Sequence, residues 1–100
     1  MVRGGYVYIM TNKYNKVLYT GVTSQLRDRV YNHKTNIYPS SFTSRYQLHK
    51  LVYFEGFEYI EEAINREKQI KGGSRKNKIN LINNLNHQWK DLFDQIPVGE

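Results

Sequence analysis

Two runs rich in aromatic and β-branched residues, Tyr6 to Thr11 (YVYIMT) and Val17 to Val22 (VLYTGV), lie on either side of the five-residue turn NKYNK. Side chains of this kind favour a pleated, half-buried surface, and so short a connection admits only antiparallel pairing. A hairpin by itself is barely stable in water, so the rest of the chain must cover it. Leu48 to Phe54 supplies a third strand. Thr23 or Ser24 can cap a helix from about Gln25 to Lys34. Glu58 to Lys71 has helical periodicity and is stopped by Gly72-Gly73. Ser74 can cap a further helix through about Asn84. Trp89, Leu92 and Phe93 then suggest a last helical turn packing back on the core. Thr35 to Thr43, with Pro39 inside it, reads as an ordered loop. The order β-β-α-β-α-α predicts an α+β fold: a three-stranded, mainly antiparallel sheet flanked by helices.

A chain of 100 residues is expected to form one domain, residues 1–100 with a core over about 6–93. It has no cysteine, which excludes a disulfide framework, a thiolate metal site and a cysteine nucleophile. The core must instead draw on nine tyrosines, four phenylalanines, one tryptophan and the aliphatics. No apolar run approaches the roughly 20 residues of a membrane span. Met1 to Gly5 lacks the apolar centre of a signal peptide. A cytoplasmic protein without membrane attachment is the expectation.

Fifteen Lys and Arg against nine Asp and Glu leave a net charge of +6, which points toward a polyanion, most often nucleic acid. The charge is segregated. Residues 1–57 carry eight basic and two acidic groups. Glu58, Glu61 and Glu62 form an acidic knot, and residues 66–78 (REKQIKGGSRKNK) hold six basic groups and one acid, Glu67. Such a distribution fits either a mixed, solvated surface or two basic patches converging on a groove, with Glu67 inside the second.

Several polar groups fall where apolar ones belong. On the first helix Leu26, Val30, Arg29 and His33 share an arc of about 100°. On the second long helix Glu67 lies among Ile60, Ala63, Ile64 and Ile70. A carboxylate there must be paired, protonated or bound to a cation; an ordinary salt bridge satisfies that as well as a metal does. In the hairpin, Tyr8 and Tyr19 can lie side by side, and Gly21 lets a ligand or another backbone come close. Cross-strand aromatic packing is the plainer alternative. Taken together, two Tyr, one Arg, one His and one Glu point toward one sheet–helix junction. That set suits phosphodiester hydrolysis. Arg can neutralise a pentacovalent phosphate, Glu can hold a hydrated divalent cation, and His can relay a proton. A Tyr near cations can have its pKa lowered and accept a proton from water.

In this order and register the residues resemble the GIY-YIG nuclease family, in particular its small stand-alone members, similar to the N-terminal nuclease domain of the bacterial excision-repair enzyme. Tyr6-Val7-Tyr8 stands for the first triplet and Tyr19-Thr20-Gly21 for the second, followed by Thr23, Leu26, Arg29 and His33. Ala63 to Lys71 resembles the segment with the metal-binding Glu. Arg75 to Leu92 looks like the C-terminal part. Tyr6 replaces Gly, Val7 replaces Ile and Thr20 replaces Ile.

The resemblance implies metal-dependent hydrolysis of nucleic acid, DNA ahead of RNA, with a place in repair, recombination or mobile-element defence. Tyr19 is then the general base or its organiser, with the choice between the two tyrosines left open. Tyr8 orients water or phosphate, Arg29 stabilises the transition state, His33 assists proton transfer and Glu67 binds one Mg²⁺ or Mn²⁺. Lys16, Arg27, Lys71, Arg75 and Lys78 are the expected nucleic-acid contacts. Asn80, Asn83 and Asn86 are each candidates for an Asn common near such sites. A chain lacking a separate DNA-binding domain is expected to bind weakly and salt-sensitively unless a protein partner supplies specificity. The alternative is a nucleic-acid-binding module that kept the fold and lost turnover.

Overall fold

The computed structural model describes residues 4–100; the reading of the extreme N-terminus, Met1 to Arg3, lies outside them. The elements are β1 (Gly5–Thr11), β2 (Leu18–Thr23), α1 (Leu26–Lys34), α2 (Phe42–Arg45), β3 (Lys50–Phe57), α3 (Ile60–Lys71), α4 (Arg75–Asn86) and a 3₁₀ turn (Phe93–Gln95). The sheet is antiparallel throughout and ordered β2-β1-β3, so the most apolar strand is central and buried along its whole length.

The hairpin forms because its turn is tied internally. The Asn12 side-chain oxygen accepts from the Lys16 and Val17 amides at 2.8 and 3.4 Å. Asn15 takes the left-handed conformation (φ 59°) that asparagine tolerates. The turn runs one residue longer than the sequence suggests and sets the register Tyr8↔Gly21 and Met10↔Tyr19. Tyr8 and Tyr19 are therefore diagonal rather than directly opposed, with ring centroids 6.2 Å apart.

Alternation along the strands divides the core in two. Tyr6, Tyr8 and Met10 face α1 and pack with Leu26, Val30, Leu48, Leu51, Leu92 and Ile96. Val7 and Ile9 face the other way, against Ile70 of α3 and Ile82 of α4. Between Ile9 and Met10 the pairing slips, leaving Val52 without a partner residue on β1. This bulge puts Val52 and its neighbour Tyr53 on the same side. The buried Asn86 side chain braces it, donating to the Val52 and Lys90 carbonyls at 3.1 and 2.8 Å and accepting from the Lys90 amide.

Ser74 caps α4 as its sequence position suggests, its hydroxyl accepting from the Asn77 amide at 3.1 Å. The Glu62 carboxylate accepts from the Tyr59 amide at 3.1 Å, so part of the acidic knot serves the N-terminus of α3. Several boundaries differ from the sequence reading, α3 beginning only at Ile60 and α4 running on to Asn86. Helix α1 begins after Gln25, with Thr23 Oγ1 accepting from the Gln25 amide. β3 starts at Lys50 and runs through Gly56 to Phe57, because β1 continues to offer partners as far as Gly5. The segment whose composition suggests a plain loop contains the start of the one-turn helix α2, capped by the Ser41 hydroxyl.

Candidate active site

The site lies where β1, β2, α1 and α2 meet. The Tyr8 hydroxyl is hydrogen-bonded to His33 Nε2 at 2.9 Å, and His33 Nδ1 to Thr43 Oγ1 at 3.0 Å. Thr43 Oγ1 in turn is 3.2 Å from Ser41 Oγ. A neutral imidazole donates through one ring nitrogen and accepts through the other, so the four residues form a continuous relay. The Tyr19 ring stands edge-on to His33, with centroids 5.7 Å apart. Tyr19, Arg29 and His33 line one cleft of about 250 Å³ with Asn32, Tyr38, Ser41, Phe42 and Thr43. A second concavity, at the N-terminal end of α1, also includes Arg29.

Four of the five constellation residues are thus brought together, and two of them differently from expectation. Arg29 is exposed rather than inward. It stands at the edge of the apolar arc, and a long side chain there keeps its guanidinium at the mouth of the cleft. Tyr8 is fully buried, and burial, reinforced by Tyr19, raises its pKa against the opposing pull of Arg29. The lowering that nearby cations could produce is overridden by desolvation. Tyr8 therefore stays protonated and holds His33, while the half-buried Tyr19 is the tyrosine that reaches the cleft.

Gly21 is the reason Tyr8 fits. A Cβ there would come within 2.6 Å of both Cζ and Oη of Tyr8. The close approach expected at this glycine is that of the Tyr8 ring, not of a ligand. Tyr6, in the position of the first-triplet glycine, packs edge-on to Phe54 and donates its hydroxyl to Glu100 Oε1 at 2.7 Å.

Burial, with the Arg29 guanidinium as the second cause, lowers the His33 pKa from 6.5 to about 4. The ring is neutral at pH 7, as a relay requires. The unfolded chain takes up a proton near pH 6.5 that the folded one refuses until about pH 4. Stability is therefore full above pH 6.5, falls through that interval and levels off below it. Because the ring is half-exposed, the expected loss is only about 1–2 kcal/mol. Urea denaturation of wild type and His33→Asn at pH 7 and pH 4.5 measures it; equal pH dependence in the two proteins would contradict the assignment.

Glu67 stands on α3, whose Ile70 packs against the opposite sheet face, and its carboxylate is paired with Lys71 at 3.2 Å. The link to the site runs around the edge strand: Lys71 lines a shallow cleft of about 430 Å³ with Leu18, Tyr19, Thr20, Phe42 and Lys78. No group of three His, Asp or Glu side chains suited to a metal occurs among the described residues. A single carboxylate nevertheless suits Mg²⁺, which keeps most of its waters and binds through one or two carboxylates plus substrate phosphate.

The basic residues divide in the same way. Arg75 donates to the Lys16 carbonyl at 2.7 Å, so the hairpin turn and the start of α4 meet. Lys78 donates to the Gly73 carbonyl at 2.9 Å while facing the edge-strand cleft. Arg27 is turned elsewhere, donating to the Ile96 carbonyl at 2.7 Å and lying over the Phe93 ring. Of the three asparagines, Asn86 is structural, Asn83 accepts from the Trp89 indole at 2.6 Å and Asn80 is exposed. Ser41, Phe42, Thr43 and Tyr38 were not among the sequence candidates. Ser41, a helix-capping residue type ahead of Phe42, was the available signal.

A hairpin presenting paired tyrosines to an Arg- and His-bearing helix defines a nuclease-type domain. Residues 4–80 match the model of the GIY-YIG catalytic domain, and the chain belongs to that family. Within it, the similarity is to small stand-alone members. A UPF0213 protein of Clostridium perfringens is 42% identical over 93 residues, covering 93% of this chain and 98% of its own. A UPF0213 protein of Syntrophus aciditrophicus is 36% identical over 77 residues, covering 77% and 87%. The solution NMR structure of a UPF0213 protein from Bacillus halodurans superposes with a TM-score of 0.56 at 28% identity, over 87% of this chain and 90% of that one. No helix among the described residues is long and apolar enough to cross a membrane.

Proposed function

We propose that the protein is a metal-dependent endonuclease acting on nucleic-acid phosphodiesters, with DNA ahead of RNA. The observation that carries this reading is the convergence of Tyr19, Arg29 and His33 on one cleft, with His33 held by Tyr8. Arg29 at the mouth offers a planar fork to the charge that grows on a phosphate under attack. Tyr19 lies where it can orient or deprotonate a water. His33, neutral and relayed to Thr43, can pass a proton onward. Glu67 would hold one Mg²⁺ or Mn²⁺, which when bound supplies charge neutralisation at the phosphate and acidifies a water. Lys16, Lys71, Arg75 and Lys78, spread along the β2 edge, would contact the strand backbone; a protein partner would add specificity that four surface cations lack.

One observation favours the alternative of a binding module without turnover: the Glu67 carboxylate already has a cation partner in Lys71. The test is cleavage of labelled single-stranded, duplex and branched DNA and of RNA at low salt, with Mg²⁺, Mn²⁺ or EDTA. Under the nuclease reading Glu67→Gln abolishes metal-dependent product without unfolding the protein. Lys71→Ala lowers the Mg²⁺ concentration needed for half-maximal rate, because the competing ammonium is gone. Product that survives Glu67→Gln unchanged would remove Glu67 from the metal role. Binding retained in EDTA, with no product under any condition, would establish the binding module instead.

A further inference from the structure

Beyond the Tyr19 cleft lies a cavity of about 660 Å³, lined among others by Lys13, Tyr14, Lys34, Tyr46, His49 and Lys50. It draws on the hairpin turn, the end of α1, the segment after α2 and the approach to β3. Two large aromatic rings are held out in water here: Tyr14 is 66% and Tyr46 43% exposed. Neither position is needed to fill the core.

The cavity is joined to the site by rings. Phe42 lies 6.2 Å from Tyr19 and 4.7 Å from Tyr46, centroid to centroid. Phe42 itself is 47% exposed. The three rings thus step from the cleft to the cavity rim. At one phosphate per roughly 3.4 Å of stacked strand, the two steps span about three nucleotides.

The charge is of matching sign. Lys34 is engaged by Asp91 and by the His49 carbonyl, which cancels the only carboxylate in the lining. Lys13, whose ammonium lies 5.0 Å from the centre of the Tyr14 ring, and Lys50 supply the net positive charge. Aromatic faces interleaved with cations make a platform for unpaired bases, since every base has a stacking face and every linkage an anion. A paired base cannot reach such a ring without leaving its stack.

We infer that this cavity is a nucleobase subsite: it takes an unpaired base of the substrate strand, about three nucleotides from the phosphate at the Tyr19–Arg29 cleft, stacked on Tyr14 or Tyr46 with Lys13 and Lys50 on the adjoining linkages. The placement of the strand rests on the nuclease reading; the occupancy of the cavity does not. The subsite gives the chain a specificity element within its own fold.

Fluorescence anisotropy in EDTA at low salt tests it without cleavage. The probes are a labelled twelve-nucleotide single-stranded DNA of mixed sequence and an abasic oligomer of the same length. Stacking of one base is worth about 1–3 kcal/mol, so Tyr14→Leu or Tyr46→Leu is expected to weaken binding of the normal strand by about tenfold or more. Neither variant should change binding of the abasic strand. Tyr14 lies largely in solvent, so an unaltered melting temperature accompanies the loss in Tyr14→Leu, while Tyr46→Leu, which also loses the ring contact with Phe42, is read against the abasic strand. Moving one abasic position along the normal strand should locate a single position that reproduces it. Wild-type affinity in both variants, or equal affinity of wild type for normal and abasic strands, would overturn the subsite. Poly-glutamate binding as tightly as the normal strand, and equally dependent on Tyr14, would overturn it in favour of an acidic peptide. If no condition yields product but the tyrosine effects are seen, the nuclease reading fails and the subsite stands.

Discussion

Arg29→Ala is expected to lower kcat of metal-dependent cleavage by about 10²–10³, the usual effect of removing a preorganised group that meets transition-state charge. The residue is exposed, so its removal should leave the melting temperature within about 2 °C of wild type. Arg29→Lys should recover only part of the rate, because an ammonium restores charge but not the two-pronged donor geometry. A second readout separates catalysis from general damage. Arg29 contributes to the lowered pKa of His33, so in Arg29→Ala the His33 resonances should titrate at higher pH than in wild type. Full activity in Arg29→Ala would show that the cleft is not where phosphate is held.

Gly21→Ala should cost about 2 kcal/mol of stability, on the order of 10 °C in melting temperature for a domain of this size. The added methyl group would sit 2.6 Å from Tyr8 Oη and Cζ. Tyr8 is fully buried and has no free volume to enter. Relief of the clash must turn the ring and break its 2.9 Å bond to His33, so activity should fall with stability. The coupling can be measured directly. In a Tyr8→Leu background, Gly21→Ala should cost less than about 0.5 kcal/mol, because the atoms it collides with are gone. An equal cost in both backgrounds would place the strain elsewhere.

Much of the fold was legible because its determinants are local. The alternation of Tyr6 to Thr11, the Asn-rich turn, Ser74 before α4 and Gly72-Gly73 after α3 each act within a few residues. The features that differ from the sequence reading depend on partners distant in the chain or on segments too short to carry a pattern. β3 reaches Phe57 only because β1 offers it partners. The role of Asn86 follows from the bulge at Val52, which no pattern in either segment announces. Helix α2 is one turn long, below the length at which periodicity speaks.

The site divides along the same line. Strand and helix spacing point Tyr8, Tyr19, Arg29 and His33 toward one sheet–helix junction, and the family resemblance supplies the roles expected of them. Sequence alone also determined the net positive charge, the lack of thiol chemistry and the hairpin-first layout. Only the tertiary structure decided that Tyr8 is the buried anchor and Tyr19 the accessible ring, because burial depends on what lies above each side chain. It also paired Glu67 on α3 with Lys71, which lines the cleft beside Tyr19 at the β2 edge. Helical periodicity says which side chains share a face of a helix; which face of the sheet that helix covers is settled by the crossing of the chain, through contacts between residues far apart in sequence.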